Sequence, residues 1–199
     1  YLLNNSIRSV GSFDFIKDQR ETPTPQGNKL LRNDNNVFVD VTAETGIYSS
    51  AIGFGLGITV SDYNNDTWPD IFISNDFFER DYLYVNQKNG KFQEALTSQF
   101  ESISMGSMGA DAADLDNNGF TDIMVTEMLP KTIQRQRTKT IFENWNKYDM
   151  GVKNEYHYQF SRNALHNNIG NNTFLEVSRL CMPQNGAGLP YYLMQIMTD

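Results

Sequence analysis

The chain repeats itself, and this repetition constrains its fold more than any other feature of the sequence. A short apolar segment, an Asn-rich turn and a second apolar segment occur three times, at residues 30–40, 83–94 and 165–176. Asn and Gly tolerate the positive φ angles that close tight hairpins. Each copy therefore predicts an antiparallel hairpin, and the series predicts an all-β fold built from similar units.

A second repeated pattern is an acidic loop followed by an apolar strand. It begins at Gly57 and again at Gly109, with the first Asp of the loop, Asp62 or Asp114, five residues later. The two Asp residues are 52 positions apart, which gives a period of about fifty residues. Short strands at this period are typical of β-propeller blades. A sandwich of two sheets could supply similar strands, but it would not require the sequence to repeat.

An insertion interrupts the last repeat. The third hairpin follows the second by 82 residues, so about thirty extra residues lie within the region 130–162. The insertion is basic, with seven Lys/Arg against three Asp/Glu between 131 and 162, whereas the whole chain has a formal charge of −8. Ile141, Trp145 and Tyr148 recur at helical spacing, which predicts an amphipathic helix packed on the blades. A partner-binding arm and a solvated surface helix both remain open.

Oxygen-bearing side chains alternate along both acidic loops. Counting from the first Asp, they occupy positions 1, 3, 5 and 9, which are Asp62, Asn64, Asp66 and Asp70 in one loop and Asp114, Asp116, Asn118 and Asp122 in the other. Calcium takes about six to eight oxygen ligands, and a tight loop whose alternate residues face inward supplies them. A divalent ion also relieves the repulsion among three carboxylates. The backbone carbonyls at position 7, of Trp68 and Phe120, complete the predicted set of metal ligands.

Position 6 distinguishes the two loops. Gly119 adopts a left-handed backbone conformation freely, whereas the β-branched Thr67 does not, so the second loop is predicted to bind calcium more tightly. A helix–loop–helix calcium site is excluded because position 12 is Ile73 or Val125 rather than Glu. Two polar turns that hold no metal remain the alternative.

These segments resemble the FG-GAP/VCBS repeats of integrin-type β-propellers, and more closely the bacterial surface proteins that combine such repeats with an ASPIC/UnbV segment. The similarity is carried by residues 38–47, 57–76, 80–84 and 107–119. The resemblance implies a seven-bladed calcium-bound propeller at the cell envelope or outside the cell, which serves adhesion or binds proteins or glycans and catalyses no reaction. It also implies that this chain is a fragment, a partial propeller of two to three four-stranded blades, whose partners include the remaining blades.

The repeat boundaries divide the chain into four predicted segments. Residues 1–40 end one blade, 41–95 form a blade with the first acidic loop, and 96–180 form a blade with the second loop and the insertion. Residues 181–199 depart from the pattern. Because their codons, read two bases later, permit a third acidic loop, we interpret this tail as a frameshifted, non-native segment.

Composition argues against several other functions. One Cys and two His do not suffice for a disulfide framework, a Cys-rich zinc site or a His-rich metal centre. The acidic balance argues against nucleic acid as a partner, and the longest apolar run, residues 51–60, is too short to span a bilayer. Since no catalytic triad or phosphate-binding loop stands apart from the repeats, the sequence favours a non-catalytic binding module. The alternative is a glycan-acting hydrolase or lyase that uses paired carboxylates on the same scaffold.

Overall fold

The computed structural model describes residues 1–5, 16–77, 79–130, 132–139 and 145–181. Its strands are β1 (Leu31–Asp34), β2 (Val37–Asp40), β3 (Gly55–Ser61), β4 (Asp70–Asn75), β5 (Tyr82–Asn86), β6 (Phe92–Glu94), β7 (Ile103–Ser104), β8 (Gly109–Ala113), β9 (Asp122–Thr126), β10 (Gln159–Phe160), β11 (Ala164–Asn168) and β12 (Phe174–Glu176). Its helices are α1 (Ile16–Glu21), α2 (Thr42–Thr45), α3 (Leu96–Gln99), α4 (Ile133–Lys139), α5 (Trp145–Lys153) and α6 (Ser178–Cys181). The predicted all-β class is confirmed, since the helices are short and the sheets carry the fold.

Two four-stranded antiparallel sheets follow one another along the chain. The first has the order β3-β4-β5-β6, and the second has the order β8-β9-β11-β12, with the insertion entering between β9 and β11. Strands β1 and β2 form a separate hairpin, and β7 and β10 form a short parallel pair. Strands β3 and β8 contact each other, so the two sheets meet along their first strands.

The three predicted hairpins are present and share one register. In each of them an Asn near the end of one strand pairs with a Phe in the next: Asn33 with Phe38, Asn86 with Phe92, and Asn168 with Phe174. The first hairpin closes through Asn35 and Asn36, whose φ angles are +54° and +70°. Two consecutive residues at positive φ match the type I′ turn that the right-handed twist of paired strands favours.

An acidic residue at the end of each hairpin caps the helix that follows. Its carboxylate accepts a hydrogen bond from the backbone N–H two residues later, at the start of α2, α3 or α6. The three acidic residues are Asp40, Glu94 and Glu176, with N–O distances of 3.0, 2.9 and 2.9 Å. Because a carboxylate satisfies free N–H groups and favours the positive end of the helix dipole, each outer strand leads directly into a short helix.

Strand β4 is buried on both faces. On one face Phe72 stacks against Phe100, with ring centroids 6.0 Å apart, and Phe100 stacks in turn on Phe174 at 4.3 Å. On the other face Ile71 and Ile73 belong to a second apolar cluster. Alternate residues of a strand point to opposite faces, so β4 joins both clusters. The aromatic stack therefore ties the first sheet to the second.

The three equivalent phenylalanines of the hairpins differ in exposure. Phe174 is 1% exposed under Phe100, and Phe92 is half-buried in the cluster that contains Ile47. In both cases the covering residue follows the helix of the preceding unit, α3 or α2. Phe38 is 67% exposed. Within the described residues, the β1–β2 hairpin thus presents an uncovered apolar face.

The insertion contains α4, α5 and β10. Trp145 is 74% exposed, so the prediction that it packs on the sheets is wrong; Ile141 lies outside the described residues. Helix α5 instead packs through Tyr148, whose ring centroid lies 5.6 Å from that of Trp145 and 5.7 Å from that of Phe160 in β10.

None of the described helices combines the length and the apolar character needed to cross a membrane. The interpretation of 181–199 as a frameshifted tail falls almost entirely outside the described residues.

A buried carboxylate connects the two sheets beside β4. Asp81 is 1% exposed and accepts hydrogen bonds from the N–H of Asn75 at 2.8 Å and from the hydroxyl of Ser107 at 2.9 Å. Ser107 lies just before β8, so Asp81 joins the end of β4 to the start of the second sheet. Burial raises the pKa of Asp81 to about 8.

This pKa predicts a pH dependence of stability. The carboxyl group has a pKa of about 4 in the unfolded chain, so between pH 4 and pH 8 the folded state binds the proton more tightly, and stability falls as the pH rises through this window. We expect Asp81→Asn and the wild type to be equally stable at pH 4, and the variant to gain up to about 1.4 kcal/mol over the wild type per pH unit above it, since the amide cannot ionise. Urea unfolding at both pH values measures the difference. A constant difference across the window would contradict the prediction.

Candidate metal centre

The second acidic loop, residues 114–122, joins β8 to β9 and folds around its first carboxylate. Asp114 accepts hydrogen bonds from the N–H groups of Asn118 at 3.1 Å and Gly119 at 3.0 Å. Gly119 has a φ of +87°, a conformation that glycine adopts without steric penalty. The loop therefore curls back on its own first residue.

Three carboxylates converge in the second loop. Asp114, Asp116 and Asp122 each place an oxygen within 4.8 Å of the oxygens of the other two. Asp114 and Asp116 are exposed, whereas Asp122 is 1% exposed. Burial, reinforced by the two neighbouring carboxylates, raises the pKa of Asp122. The group combines an opening to solvent with strong mutual repulsion, which is the environment that a hard divalent cation stabilises.

Residues of β11 hold these carboxylates in place. Asp122 accepts hydrogen bonds from the N–H groups of Leu115 at 2.9 Å and Asn168 at 2.7 Å. The amide of Asn167 donates to Asp116 at 2.9 Å and to Asp122 at 3.1 Å. The sequence analysis missed both asparagines as parts of the site. Asn168 could have been found, because it occupies the repeated Asn position of the three hairpins.

The first acidic loop, residues 62–70, joins β3 to β4 and has the same backbone shape. Asp62 accepts hydrogen bonds from the N–H groups of Asp66 at 2.9 Å and Thr67 at 2.6 Å, as Asp114 does at the same positions of the second loop. Thr67 has a φ of +73°. A residue with a Cβ is strained in this region by about 1–2 kcal/mol, so the first loop adopts the shared shape at an energetic penalty.

The carboxylates of the first loop are distributed differently. Position 3 is Asn64 and position 5 is Asp66, the reverse of the second loop, and the amide of Asn64 donates to Asp66 at 3.1 Å. Asp62, Asp66 and Asp70 all belong to the described residues, yet they form no three-carboxylate group of the kind seen in the second loop. The ammonium nitrogen of Lys88 lies 3.3 Å from a carboxylate oxygen of Asp66. The two loops therefore have equal numbers of carboxylates but unlike arrangements of charge.

Position 9 has the same structural role in both loops. Asp70 is fully buried and accepts hydrogen bonds from the N–H groups of Tyr63 at 3.1 Å and Asn86 at 2.8 Å. These contacts correspond to those of Asp122 with Leu115 and Asn168. Burial raises the pKa of Asp70 above its usual value. Position 9 thus ties each loop to the third strand of its own sheet.

The position-7 residues differ in exposure. Trp68 is 44% exposed, and Phe120 is partly buried. Their N–H groups donate to the side chains at position 5, Asp66 at 2.9 Å and Asn118 at 2.8 Å. The participation of their carbonyl oxygens in metal binding stays a prediction.

The two loops are direct neighbours. The amide of Asn65 donates to the carbonyl of Gly119 at 2.9 Å, and the amide of Asn168 donates to the carbonyl of Tyr63 at 2.8 Å. Each bond joins one loop or its hairpin to the other unit. The acidic loops therefore form one continuous polar surface where the two sheets meet.

A cavity of about 520 Å³ lies apart from the loops, beside α1 and the end of α5. Its walls include the glutamates Glu21, Glu94 and Glu155. Glu94 accepts hydrogen bonds from Arg80 at 2.6 Å and from the N–H of Leu96 at 2.9 Å, so both of its oxygens are engaged in the fold.

The two histidines differ in exposure: His166 is fully buried, and His157 is partly buried in the wall of the cavity. His166 is fully buried 4.8 Å from the ring of Phe100, neither ring nitrogen has a partner among the described residues, and burial lowers its pKa to about 4. His157 contacts the carbonyl of Phe100 through Nε2 at 2.9 Å, and burial lowers its pKa as well. Both imidazoles are thus neutral at pH 7 and packed around Phe100.

Comparison with known families identifies the segment that contains these loops. Residues 62–125 match the family model of the FG-GAP-like repeat. No curated protein matches the chain. The matched segment begins at the first residue of the first loop and ends within β9, so it includes both acidic loops and all of the strands between them. The resemblance inferred from the sequence is confirmed over this segment, which is an FG-GAP-like repeat.

Proposed function

We propose that the chain is part of a calcium-braced β-propeller that binds protein or glycan ligands and catalyses no reaction. The observation that carries the proposal is the convergence of Asp114, Asp116 and Asp122 within 4.8 Å in a loop of the FG-GAP-like repeat. The calcium ion, its role and the ligand class are parts of this proposal.

The donor set of the second loop fits calcium. Asp114, Asp116 and Asp122 would hold the ion through hard carboxylate oxygens, with Asn118 and the Phe120 carbonyl beside them. A bound divalent ion supplies the positive charge that the three carboxylates require. Since Asp122 also binds the N–H of Asn168, the ion would brace the β8–β9 turn against β11.

Three features support a propeller. Two four-stranded antiparallel sheets succeed each other, they meet along their first strands, and each is followed by a capped short helix. The uncovered face of the β1–β2 hairpin repeats a surface that a preceding unit covers elsewhere in the chain. A series of such units, each covering the next, would extend into a ring.

Calcium-dependent stability also favours a location at the cell envelope or outside the cell. Calcium modules of extracellular proteins bind the ion with dissociation constants of about 10⁻⁴–10⁻³ M, which is sufficient where calcium is abundant. Loops gathered on one face of a rigid scaffold commonly bind partners. The shared loop surface is therefore the face that we assign to ligand binding.

A glycan-acting hydrolase or lyase is the alternative. Such an enzyme needs two carboxyl groups on either side of the scissile bond. The 520 Å³ cavity has glutamates in its walls, but Arg80 and Leu96 engage both oxygens of Glu94. This engagement argues against Glu94 as a catalytic carboxyl group and leaves Glu21 and Glu155 as the pair that the alternative would need.

Calcium titration followed by thermal melting tests the proposal. At a calcium concentration one hundred times the dissociation constant, one site adds about 2.7 kcal/mol, which raises the Tm of a chain of this size by about 5–10 °C relative to EDTA. We expect Asp116→Ala to abolish this rise, because the substitution removes a proposed metal ligand. Since Asp116 is exposed, the substitution creates no cavity in the core.

Asp111→Asn is the matched control. Asp111 is an exposed carboxylate in β8, outside the loop, so its variant removes the same charge and should retain the full rise in Tm. Equal Tm values in EDTA and in calcium for the wild type would reject the metal site.

A further inference from the structure

We infer that the chain's own Lys88 offsets part of the charge of the first acidic loop, which takes no calcium, so that one of the two equivalent loops is a metal site and the other is not. The inference rests on the proposed calcium site of the second loop. It concerns Asp62, Asn64, Asp66 and Asp70, which the repeat pattern alone marks as ligands.

The position of the third carboxylate is the first argument. In the second loop, the converging carboxylates occupy positions 1, 3 and 9. In the first loop, position 3 is Asn64, and the carboxylate has moved to position 5, Asp66. All of these residues are described, and the first loop forms no comparable group. Each loop thus has three carboxylates, but only those of the second loop converge within 4.8 Å of one another.

Lys88 is the second argument. Its ammonium nitrogen lies 3.3 Å from Asp66, on the same oxygen that accepts the amide of Asn64. Lys88 belongs to the β5–β6 turn, and this turn lies close enough to the first loop for the ion pair to form. A fixed cation reduces the attraction of the loop for a second one, since like charges at this range repel.

The turn beside the second loop has a glycine where the first unit has Lys88. The position equivalent to Lys88 in the β11–β12 turn is Gly170, two residues after the repeated Asn, with a φ of +77°. A Cβ at Gly170 would lie 2.9 Å from the ring of Phe120, the position-7 residue of the second loop. A side chain at residue 170 would therefore displace the Phe120 ring and would be strained by the positive φ, which favours glycine over lysine at this place.

In the second unit, the side chain that contacts the acidic loop from the third strand is a neutral amide. Asn167 donates its amide to Asp116 and Asp122. The equivalent residue of the first unit is Val85, which has no side-chain donor. The first loop thus contacts a full positive charge, whereas the second loop contacts only an amide. Neither Asn167 nor Gly170 supplies a counter-charge to the three carboxylates of the second loop.

The number of bound calcium ions tests the inference. Equilibrium dialysis of the 199-residue chain is expected to give one calcium per chain, with the ion lost in Asp116→Ala and retained in the matched first-loop variant Asp66→Ala. Two ions in the wild type, falling to one in Asp66→Ala, would overturn the inference and leave the proposed function intact. One ion lost in Asp66→Ala but retained in Asp116→Ala would overturn it as well.

Replacement of Lys88 provides an independent readout in the absence of calcium. In EDTA, Lys88→Gln should lower the Tm by about 1–3 °C, because Asp62, Asp66 and Asp70 lose their internal counter-charge. Lys91→Gln removes the same charge from the same exposed turn and should leave the Tm unchanged. Equal Tm values for the two variants would reject Lys88 as the counter-ion. No bound calcium in the wild type would instead reject the proposed function, and the Lys88 comparison would still decide the role of the lysine.

Discussion

Replacing Glu79 with Ala is expected to lower the free energy of unfolding by about 3–5 kcal/mol. Glu79 pairs with Arg20 through two hydrogen bonds, at 2.7 and 3.3 Å, and their side chains are 2% and 3% exposed. The hydroxyl of Tyr82 donates to the same carboxylate at 3.1 Å. The substitution would leave the guanidinium of Arg20 buried without its partner, and a buried charge without compensation is among the most destabilising single changes.

A double-mutant cycle separates this charge effect from lost packing. The double variant Arg20→Met/Glu79→Leu removes both charges and should recover most of the lost stability, since apolar side chains of similar volume often replace a buried ion pair at little cost. Arg32→Met serves as the exposed control, because Arg32 and Asp34 pair at the surface; it should leave the urea midpoint nearly unchanged. Additive losses in the double variant would show that packing rather than charge dominates.

Asp70→Ala is expected to lower the free energy of unfolding by about 3 kcal/mol. Asp70 is fully buried and accepts the N–H groups of Tyr63 and Asn86, so its removal leaves two buried donors unsatisfied and frees the first loop from β5. Asp70→Asn keeps one acceptor and should lose about half as much. Chemical denaturation measures both variants.

Calcium distinguishes Asp70 from its counterpart in the second loop. If the first loop takes no metal, the loss caused by Asp70→Ala should be the same in EDTA and in calcium. Asp122→Ala, which removes the same pair of backbone contacts and also a proposed metal ligand, should lose more in calcium than in EDTA. A calcium-dependent loss in Asp70→Ala would place an ion in the first loop.

The sequence predicted the features that follow from local repetition. The pairing of Asn33, Asn86 and Asn168 with three phenylalanines was readable because hairpin turns use a small set of residue types and the pattern occurs three times. The shared shape of the acidic loops was readable for the same reason. Positive φ at Thr67 and Gly119 follows from their common position in the loop.

Features that depend on the neighbouring units could not be read in this way. Helical spacing placed Trp145 on an apolar stripe, but spacing does not reveal whether another surface covers that stripe, and Trp145 is exposed. The contact of Lys88 with Asp66 joins two turns that are separated by a strand pair, so only the folded sheet brings them together. When the repeats are aligned, Lys88 and Gly170 occupy the same position. This difference was the one feature of the sequence that could have indicated unequal loops.

The buried polar groups were the least accessible to sequence reasoning. Asp81 and Glu79 lie beside β5 among residues that resemble an ordinary charged turn. Their burial follows from α1 and the segment before β8, which approach from distant parts of the chain: Arg20 reaches Glu79, and Ser107 reaches Asp81. These two buried contacts therefore join residues that are far apart in sequence.

No described residue covers the face around Phe38, and this face determines how copies of this chain would associate through it. Inside the chain, Phe174 is covered by Phe100, which follows α3, and by Tyr63 of the β3–β4 loop, and not by the equivalent hairpin of another unit. Contact between two copies would consequently join unlike surfaces, and such head-to-tail contacts have no symmetry that stops them after two molecules. Growth would continue into larger rings or open polymers rather than closed dimers, and a polar side chain in place of Phe38 would remove the site from which each step begins.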